Sequence, residues 1–523
     1  MSLGKYRFYT CLLCFLRKKE FMYDVLVIGA GVSGASIARR LSRYKLDIAV
    51  VEKSNDVSMG ASKANSAIIH GGYAEPHDEL RGRICYPGRT QFEELENELH
   101  FGFVANGSLV LAFEEDEIKT LEKLYDMGIE NGLPDMEIID QEKLREIEPN
   151  VSDNAIAALW CKGAGVCSPY EYVVALVENA VANGAELFLN SRVSDISKDD
   201  DYFIVKTEDG KELKAKYVIN ASGLEGAIVS EMIAQTDFDI HPRSGEYLIF
   251  QKGTGKRLNN VLFQVPTEKS KGILATRTFH NNLLLGPDAI DEEEIDLSTH
   301  EDRLMYIYEE AQKSVKDDVI NLREFIRSFT GLRPASSTHD FIIEESNVAG
   351  FINVVGIQSP GITASPEIAK IVENILKESG LDLEKDPDYN PNREPIIEYK
   401  ELEDMNKIKD RLELPLGDPE RLVCRCEQVS EKTIRDAMNR GIPVETLDAV
   451  KRRTRAGMGF CQGQFCKPRV LEVMEDELGK KPIDDLYDFE RNELSRLNKK
   501  RVNELIKEIQ ETSRKEIEEK EEE

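Results

Sequence analysis

The sequence predicts an α/β protein: a Rossmann-type nucleotide-binding domain interleaved with a β-rich part, then a small, mainly helical domain organised by cysteines. Three observations predict this. The segment YDVLVIGAGVSGASIARRL, near the N-terminus, runs from a buried strand through a glycine turn into a helix. Strand-like runs, among them GEYLIFQ and NNLLLGPDA, occupy residues 236–325 and carry few nucleotide signals. Four of the nine cysteines, Cys424, Cys426, Cys461 and Cys466, form two tight pairs near the C-terminus.

At 523 residues the chain has room for two or three domains. Its net charge of −29 argues against a general basic surface for nucleic acid or anionic lipid. No apolar run approaches ~20 residues, so no membrane span is expected. The protein reads as cytoplasmic, reaching a membrane only through a partner. The apolar YTCLLCFL at 9–16 is short and lacks a small-residue cleavage site, so it makes a poor signal peptide. Met22 directly precedes the first strand, so residues 1–21, with Cys11 and Cys14, read as an N-terminal extension or as following an upstream start that is not used. A chain of this size does not need disulfides, and clustered cysteines point to metal binding or redox chemistry.

Gly29, Gly31 and Gly34 form G-x-G-x-x-G between strand and helix. The first permits the tight turn, the second lets backbone approach a pyrophosphate, and the third lets helix pack on strand. The helix start adds N–H groups and the positive end of a dipole. A second strand, LDIAVVEK, ends at Glu52, where a carboxylate can accept both ribose hydroxyls and repel a 2′-phosphate. Together these predict a dinucleotide site. After Glu52 comes SNDVSMGASKANSAIIHGGY, a long loop of small residues instead of a short turn into another helix. That suits FAD, whose flavin must run on across the protein.

These motifs resemble those of FAD-dependent oxidoreductases of the D-amino-acid-oxidase superfamily. The resemblance extends over residues 22–380 through GAGVCSPYEYVVALVENAVANGAELFLNSRVSDI, AKYVINASG, RSGEYLIF, LLLGPDA, GLRP and VVGIQSPGITASPEIAK. It implies that Lys53 and Ser62 join the cofactor site and that the chain near Val193 lines the adenosine. It also implies that the chain returns to the nucleotide domain at Ala221–Gly223. Gly331, Gly356, Gly361, Ile362 and Thr363 are then expected at the flavin. The last of these has its own logic: SPGITASPEIAKIVENIL reads as a loop entering a helix, whose first N–H groups can stabilise a reduced flavin's negative charge.

The four C-terminal cysteines are open to several readings: structural zinc, disulfides, an iron–sulfur cluster or incidental core residues. C-x-C followed by C-x₄-C is atypical of zinc, whereas four thiolates on tight loops suit a [2Fe–2S] cluster. CRCEQVSEKTIRDAMNRG and AVKRRTRAGMGFCQGQFC, in a domain expected at 419–484, resemble the [2Fe–2S] domain of bacterioferritin-associated ferredoxin. A one-electron centre fused to a dinucleotide fold also favours FAD, which accepts a hydride and passes electrons singly. Lys451, Arg452, Arg453 and Arg455 read as countercharge for the cluster, a dock for an acidic partner, or a solvated helix face. Residues 381–418 read as a linker. Residues 485–523 read as a charged tail, helical or disordered, with a short stripe of Val502, Leu505, Ile506 and Ile509.

Oxidation of an alcohol needs a base for the hydroxyl proton, and His70 in IIHGGY lies where the loop should pass the flavin. A structural histidine beneath the ring is the alternative. Arg333 in GLRP can clamp a carboxylate or phosphate bidentately. Tyr73, Tyr247 and Arg277 are weaker substrate-binding candidates, and Cys85, Cys161 and Cys167 read as core cysteines. The pairing of flavin fold and cluster domain resembles the catalytic A subunits of anaerobic glycerol-3-phosphate dehydrogenases. That resemblance implies a small anionic hydroxy substrate and electron transfer through the cluster to a protein partner or quinone pathway. Two departures remove positive charge: Thr338-His339-Asp340 stands where that family tends to carry Arg-Asp, and Gln358-Ser359-Pro360 where it tends to carry lysine. The GEY and SPGITASPEIA pieces resemble L-2-hydroxyglutarate dehydrogenases. Amine or imino-acid oxidation, or a non-catalytic electron-transfer or iron-handling role, are further readings.

Overall fold

The computed structural model describes residues 22–266, 272–396, 402–483 and 504. The expected N-terminal extension lies outside the described residues, as does all of the expected tail but residue 504, including its apolar stripe. β1 (Met22–Ile28), α1 (Val32–Leu41) and β2 (Ile48–Val51) follow the order read from the sequence. β1 lies between β2 and the strand Glu212–Asn220, parallel to both. Its side chains alternate between two cores. Val25 and Val27 pack with Ile37 of α1 and Val372 of the helix Gly361–Glu378. Tyr23, Leu26 and Ile28 pack with Phe203, Val218 and Phe351 on the opposite face. A strand covered on both faces must be apolar throughout, which is why VLVI reads as one run.

The strand Glu212–Asn220 is the hinge of this eight-stranded sheet. Its first half pairs antiparallel with Tyr202–Thr207, and its second half parallel with Phe351–Val355. β1, Glu212–Asn220 and Phe351–Val355 therefore end at one edge. The turns at Gly29, Ala221 and Gly356 emerge there together, at the edge where parallel sheets bind ligands.

A second sheet of nine strands covers that edge. It is wider than the 236–325 stretch suggested, because Val261–Gln264 pairs with Ser108–Ala112 and recruits Met136–Asp140 and Ala157–Cys161. Its longest pairing, Ile240–Lys252 with Phe325–Ser336, sets Tyr247 opposite Phe329. The cysteine domain is mainly helical. A short hairpin, Leu422–Cys424 with Val429–Ser430, and the helices Glu431–Met438, Leu447–Thr454 and Lys467–Leu478 enclose Val423, Ile434, Val450 and Val473. Within the expected linker, residues 390–393 run as a strap. Asn179 Nδ2 donates to the Asn390 carbonyl at 3.0 Å, and Arg393 Nε donates to Glu178 at 2.6 Å. Among the described residues no helix is long and apolar enough to cross a membrane.

Candidate active site and redox centre

The glycine turn is shaped by close approach. Gly29 adopts φ 102°, and a Cβ there would overlap the Ala221 carbonyl; a Cβ on Gly34 would overlap the Gly29 carbonyl. A Cβ on Gly31 meets only Ser62 Oγ, at 3.2 Å, so the space above it is a cradle that a side chain would fill. The same Ser62 Oγ accepts from Val32 N–H at 2.9 Å. Glu52 is buried, and its two carboxylate oxygens accept from Ala30 N–H at 2.8 Å and Ser54 N–H at 2.9 Å. Each oxygen keeps a lone pair for a further donor. Lys53 pairs with Glu225 at 2.9 Å.

A cavity of about 870 Å³ opens here, lined by Gly29, Gly31, Glu52, Lys53, Ser62, Ala221 and Gly223. It runs on beneath the nine-stranded sheet past Ile249, Leu284 and Ser328, and reaches Met458 and Gln462 in the cysteine domain. An elongated, anionic dinucleotide fits that shape and that donor set.

Other expected cofactor residues do not line this wall. Gly331, Gly356, Gly361, Ile362 and Thr363 do not line it; the chain neighbours of the first two, Thr330, Leu332, Val355 and Ile357, do. Val193 is buried in the core with Tyr23 and Phe203 instead of facing the cavity. His70 is fastened to the start of the helix Gly361–Glu378: its N–H donates to Thr363 Oγ1 at 2.9 Å, and its Nε2 lies 3.3 Å from Ser359 Oγ. It too lies off this wall.

Arg333 and Tyr247 are brought together. Arg333 Nη2 donates to the Asp288 carbonyl at 3.2 Å and interacts with the Tyr247 hydroxyl. Burial pushes that hydroxyl's pKa up, and Arg333 opposes the shift. The Tyr247 ring stacks on Phe329 with centroids 4.7 Å apart. Arg277 donates to Asn281 Oδ1 at 2.7 Å, and its buried Nε has no hydrogen-bond partner among the described residues. Tyr73 departs from expectation. Its hydroxyl lies 3.1 Å from Ser108 Oγ and its ring packs with Leu121, Leu124 and Leu133, so it is a core residue and not a substrate contact. Cys85, Cys161 and Cys167 are buried, and burial pushes their thiols up, Cys161 to about 11. Asp340, which belongs to the Thr338-His339-Asp340 departure, accepts from the N–H groups of Leu80 and Arg81 and so anchors the start of the helix Leu80–Arg89.

The four C-terminal cysteines converge as two pairs. Cys424 and Cys466 share a hydrogen bond, which holds Cys424 down at about 7 and pushes Cys466 up; Cys426 interacts with Cys461. Cys424 and Cys466 are buried, whereas Cys426 and Cys461 are half-buried. A Cβ on Gly459 would overlap Cys426, so only glycine lets the two loops close. Among the described residues no set of His, Cys, Asp or Glu is arranged around a single metal ion. Two pairs of thiols are the donor set that two irons need, one pair to each.

The basic run is neither a solvated face nor a dock for another protein. Arg452, Arg453 and Arg455 are buried. Arg453 Nη1 and Nη2 donate to the fully buried Asp56 at 2.7 and 2.8 Å, and Arg452 donates to the same carboxylate. Arg455 donates to Glu427 at 2.9 Å and to the Tyr170 hydroxyl at 2.9 Å. The cysteine domain is thus clamped to the loop after Glu52. Asp56 escaped sequence reading because a lone aspartate in a polar loop looks like any turn residue.

Residues 24–375 match the FAD dependent oxidoreductase family, and residues 422–476 match the BFD-like [2Fe-2S] binding domain. The chain belongs to the FAD-dependent oxidoreductases. This oxidoreductase is 45% identical over 463 residues to a glycerol 3-phosphate dehydrogenase of Caloramator mitchellensis, covering 88% of this chain and 95% of that one. It is 31% identical over 380 residues to a glycerol 3-phosphate oxidase of Mycoplasma genitalium, covering 71% and 97%. Among solved structures, it is similar to dithionite-reduced L-α-glycerophosphate oxidase from Mycoplasma pneumoniae with FAD bound. There the TM-score is 0.67 at 29% identity, covering 71% of this chain and 98% of that one. The oxidoreductase carries FAD, and its cysteine domain carries a [2Fe–2S] cluster.

Proposed function

We propose that the chain oxidises glycerol 3-phosphate to dihydroxyacetone phosphate and passes the electrons through its cluster to a protein acceptor or a quinone pathway. The observation that carries this is the 45% identity to a glycerol 3-phosphate dehydrogenase, which spans more of the chain than the oxidoreductase domain alone. Bound FAD supplies a two-electron oxidant for the secondary alcohol, and the cluster a one-electron carrier. Glu52 and the Gly29–Gly34 turn hold the cofactor's nucleotide end, and Cys424, Cys426, Cys461 and Cys466 hold the cluster. Arg333 offers the substrate phosphate a planar fork of donors, with the Tyr247 hydroxyl beside it. His70, held by Thr363 and Ser359, takes the hydroxyl proton at its imidazole.

The test is anaerobic flavin bleaching with glycerol 3-phosphate, L-2-hydroxyglutarate, glycine and proline. Rapid bleaching by glycerol 3-phosphate alone, followed by the paramagnetic signal of a reduced cluster, is the expected result. Bleaching by another member of the panel and not by glycerol 3-phosphate would overturn the substrate.

A further inference from the structure

The FAD cavity and the cluster loops meet in one stretch of chain. Met458 and Gln462 line the cavity, and Cys461 lies between them in sequence. The glycine turn and Glu52 take the nucleotide half of the cofactor, which leaves the flavin half to the wall beyond them. There Cys167 N–H donates to the Ala67 carbonyl at 2.8 Å, and Ala67, Ser168 and Tyr170 all line the cavity. Tyr170 touches the cysteine domain twice: its hydroxyl donates to Met458 Sδ at 3.4 Å and accepts from Arg455 Nη1 at 2.9 Å. Arg455 Nε donates in turn to Glu427 Oε2 at 2.9 Å, and Lys252 Nζ donates to the same oxygen at 3.0 Å. Lys252 ends the strand Ile240–Lys252 of the nine-stranded sheet, and the Glu427 side chain is 1% exposed. Glu427 directly follows Cys426, and its N–H donates to Cys424 Sγ, as does that of Gly457. One residue therefore holds a cluster ligand with its backbone and the oxidoreductase sheet with its side chain.

We propose that electrons pass from flavin to cluster within a single chain, across the junction of Tyr170, Arg455 and Met458, and that Glu427 is the positioning residue that keeps the cysteine loops against it. This rests on FAD and the cluster occupying the sites assigned above and holds whichever substrate is oxidised. The two electrons that reach the flavin as a hydride leave it one at a time, and the flavin gives up the accompanying proton. Each electron turns one ferric iron of the cluster ferrous, and the protein acceptor takes it before the next arrives. Tunnelling falls steeply with distance, so the transfer depends on how closely the loops are held. A buried carboxylate shared by two cations holds them well, because its loss would weaken both contacts at once.

The test uses the full-length protein carrying FAD and cluster, without oxygen. A light flash with EDTA as electron donor reduces the flavin, and the cluster's visible absorption follows the electron. The wild-type rate is expected to stay unchanged on dilution, as for transfer inside one molecule. Glu427→Gln keeps the side chain's shape and removes its charge. It should slow cluster reduction and speed hydrogen exchange at residues 424–428, each by roughly 10-fold or more, the scale of one charge-assisted hydrogen bond, with the cluster's iron retained. Glu427→Asp, which keeps the charge, should recover part of both. Lys252→Met breaks the same contact from the oxidoreductase sheet, away from the cysteines, and should act likewise even if Glu427→Gln sheds its cluster. Glu445→Gln, at an exposed ion pair with Lys480 on the same domain, should change neither. Wild-type rate and exchange in both Glu427→Gln and Lys252→Met, or a wild-type rate that falls with dilution, would overturn the inference. A wild type without FAD or without iron would instead overturn the cofactor assignments beneath it.

Discussion

Replacing Asp56 with asparagine should release the cysteine domain from the nucleotide loop. Burial alone would raise the Asp56 carboxyl, but Arg453 and Arg452 outweigh it and hold the group at about 2, against an ordinary 3.8. A tenfold change in an acid dissociation constant corresponds to about 1.36 kcal/mol, so the ionised form is favoured by roughly 2 kcal/mol in the folded state. Because the folded value is the depressed one, this stabilisation is fully present above pH 3.8 and is lost as pH falls toward 2. Asp56→Asn costs more than that figure, since it strands the fully buried Arg453 without a counter-ion; removing one partner of such a pair costs about 3–5 kcal/mol. Urea unfolding followed by the cluster's visible absorption, with flavin absorption read in parallel, separates the two transitions. The cluster transition should move to lower urea and the wild-type midpoint should be flat between pH 5 and 8 as far as this group is concerned. An Asp56→Asn midpoint matching wild type to within ~0.5 kcal/mol would refute the reasoning.

Glu52→Ala removes a carboxylate with a lone pair free on each oxygen, and charge-assisted hydrogen bonds are worth about 1.5–3 kcal/mol each, so FAD should bind at least ~10-fold more weakly by fluorescence titration. An unchanged affinity would leave Glu52 only the task of holding the turn. Serine at any one of Cys424, Cys426, Cys461 or Cys466 should abolish the two irons and two acid-labile sulfides while flavin bleaching by substrate persists; stoichiometric zinc without sulfide in the wild type contradicts the cluster assignment. Arg333→Lys should raise KM, because a point charge cannot reproduce a planar fork. His70→Ala should lower kcat by roughly 10²–10⁴-fold; an unaltered kcat makes His70 structural.

The nucleotide motif was legible because its logic is local: Gly29, Gly34 and Glu52 shape one turn within 24 residues of sequence. The cysteines were visible as two local pairs, Cys424 with Cys426 and Cys461 with Cys466, but the contacts that form cross between them, Cys424 with Cys466 and Cys426 with Cys461. The nine-stranded sheet was not legible, since the pairing of Val261–Gln264 with Ser108–Ala112 leaves no trace in either segment. Tyr73, expected as a weaker substrate contact, follows Gly71 and Gly72 into a core with Leu121, Leu124 and Leu133. The basic run showed its charge and hid its partner: Arg453 meets Asp56 across 397 residues. The wall shared by the two domains was invisible for that reason.

The interleaving of the strands also sets a timetable for synthesis. Met22 pairs with Lys214, and Asn220 with Asn353. At about 5–20 residues per second the first strand leaves the ribosome roughly 10–40 s before its second neighbour, Glu212–Asn220, exists. During that interval VLVI can pair with β2 on one side but presents an open apolar edge on the other, the kind of edge that aggregates or recruits a chaperone. The cysteine domain, by contrast, makes its core from residues 423–474 and can close as soon as it emerges. The helix Leu447–Thr454, which lines part of the cofactor cavity, is made late. The wall of that cavity is complete only after the metal-binding domain has folded.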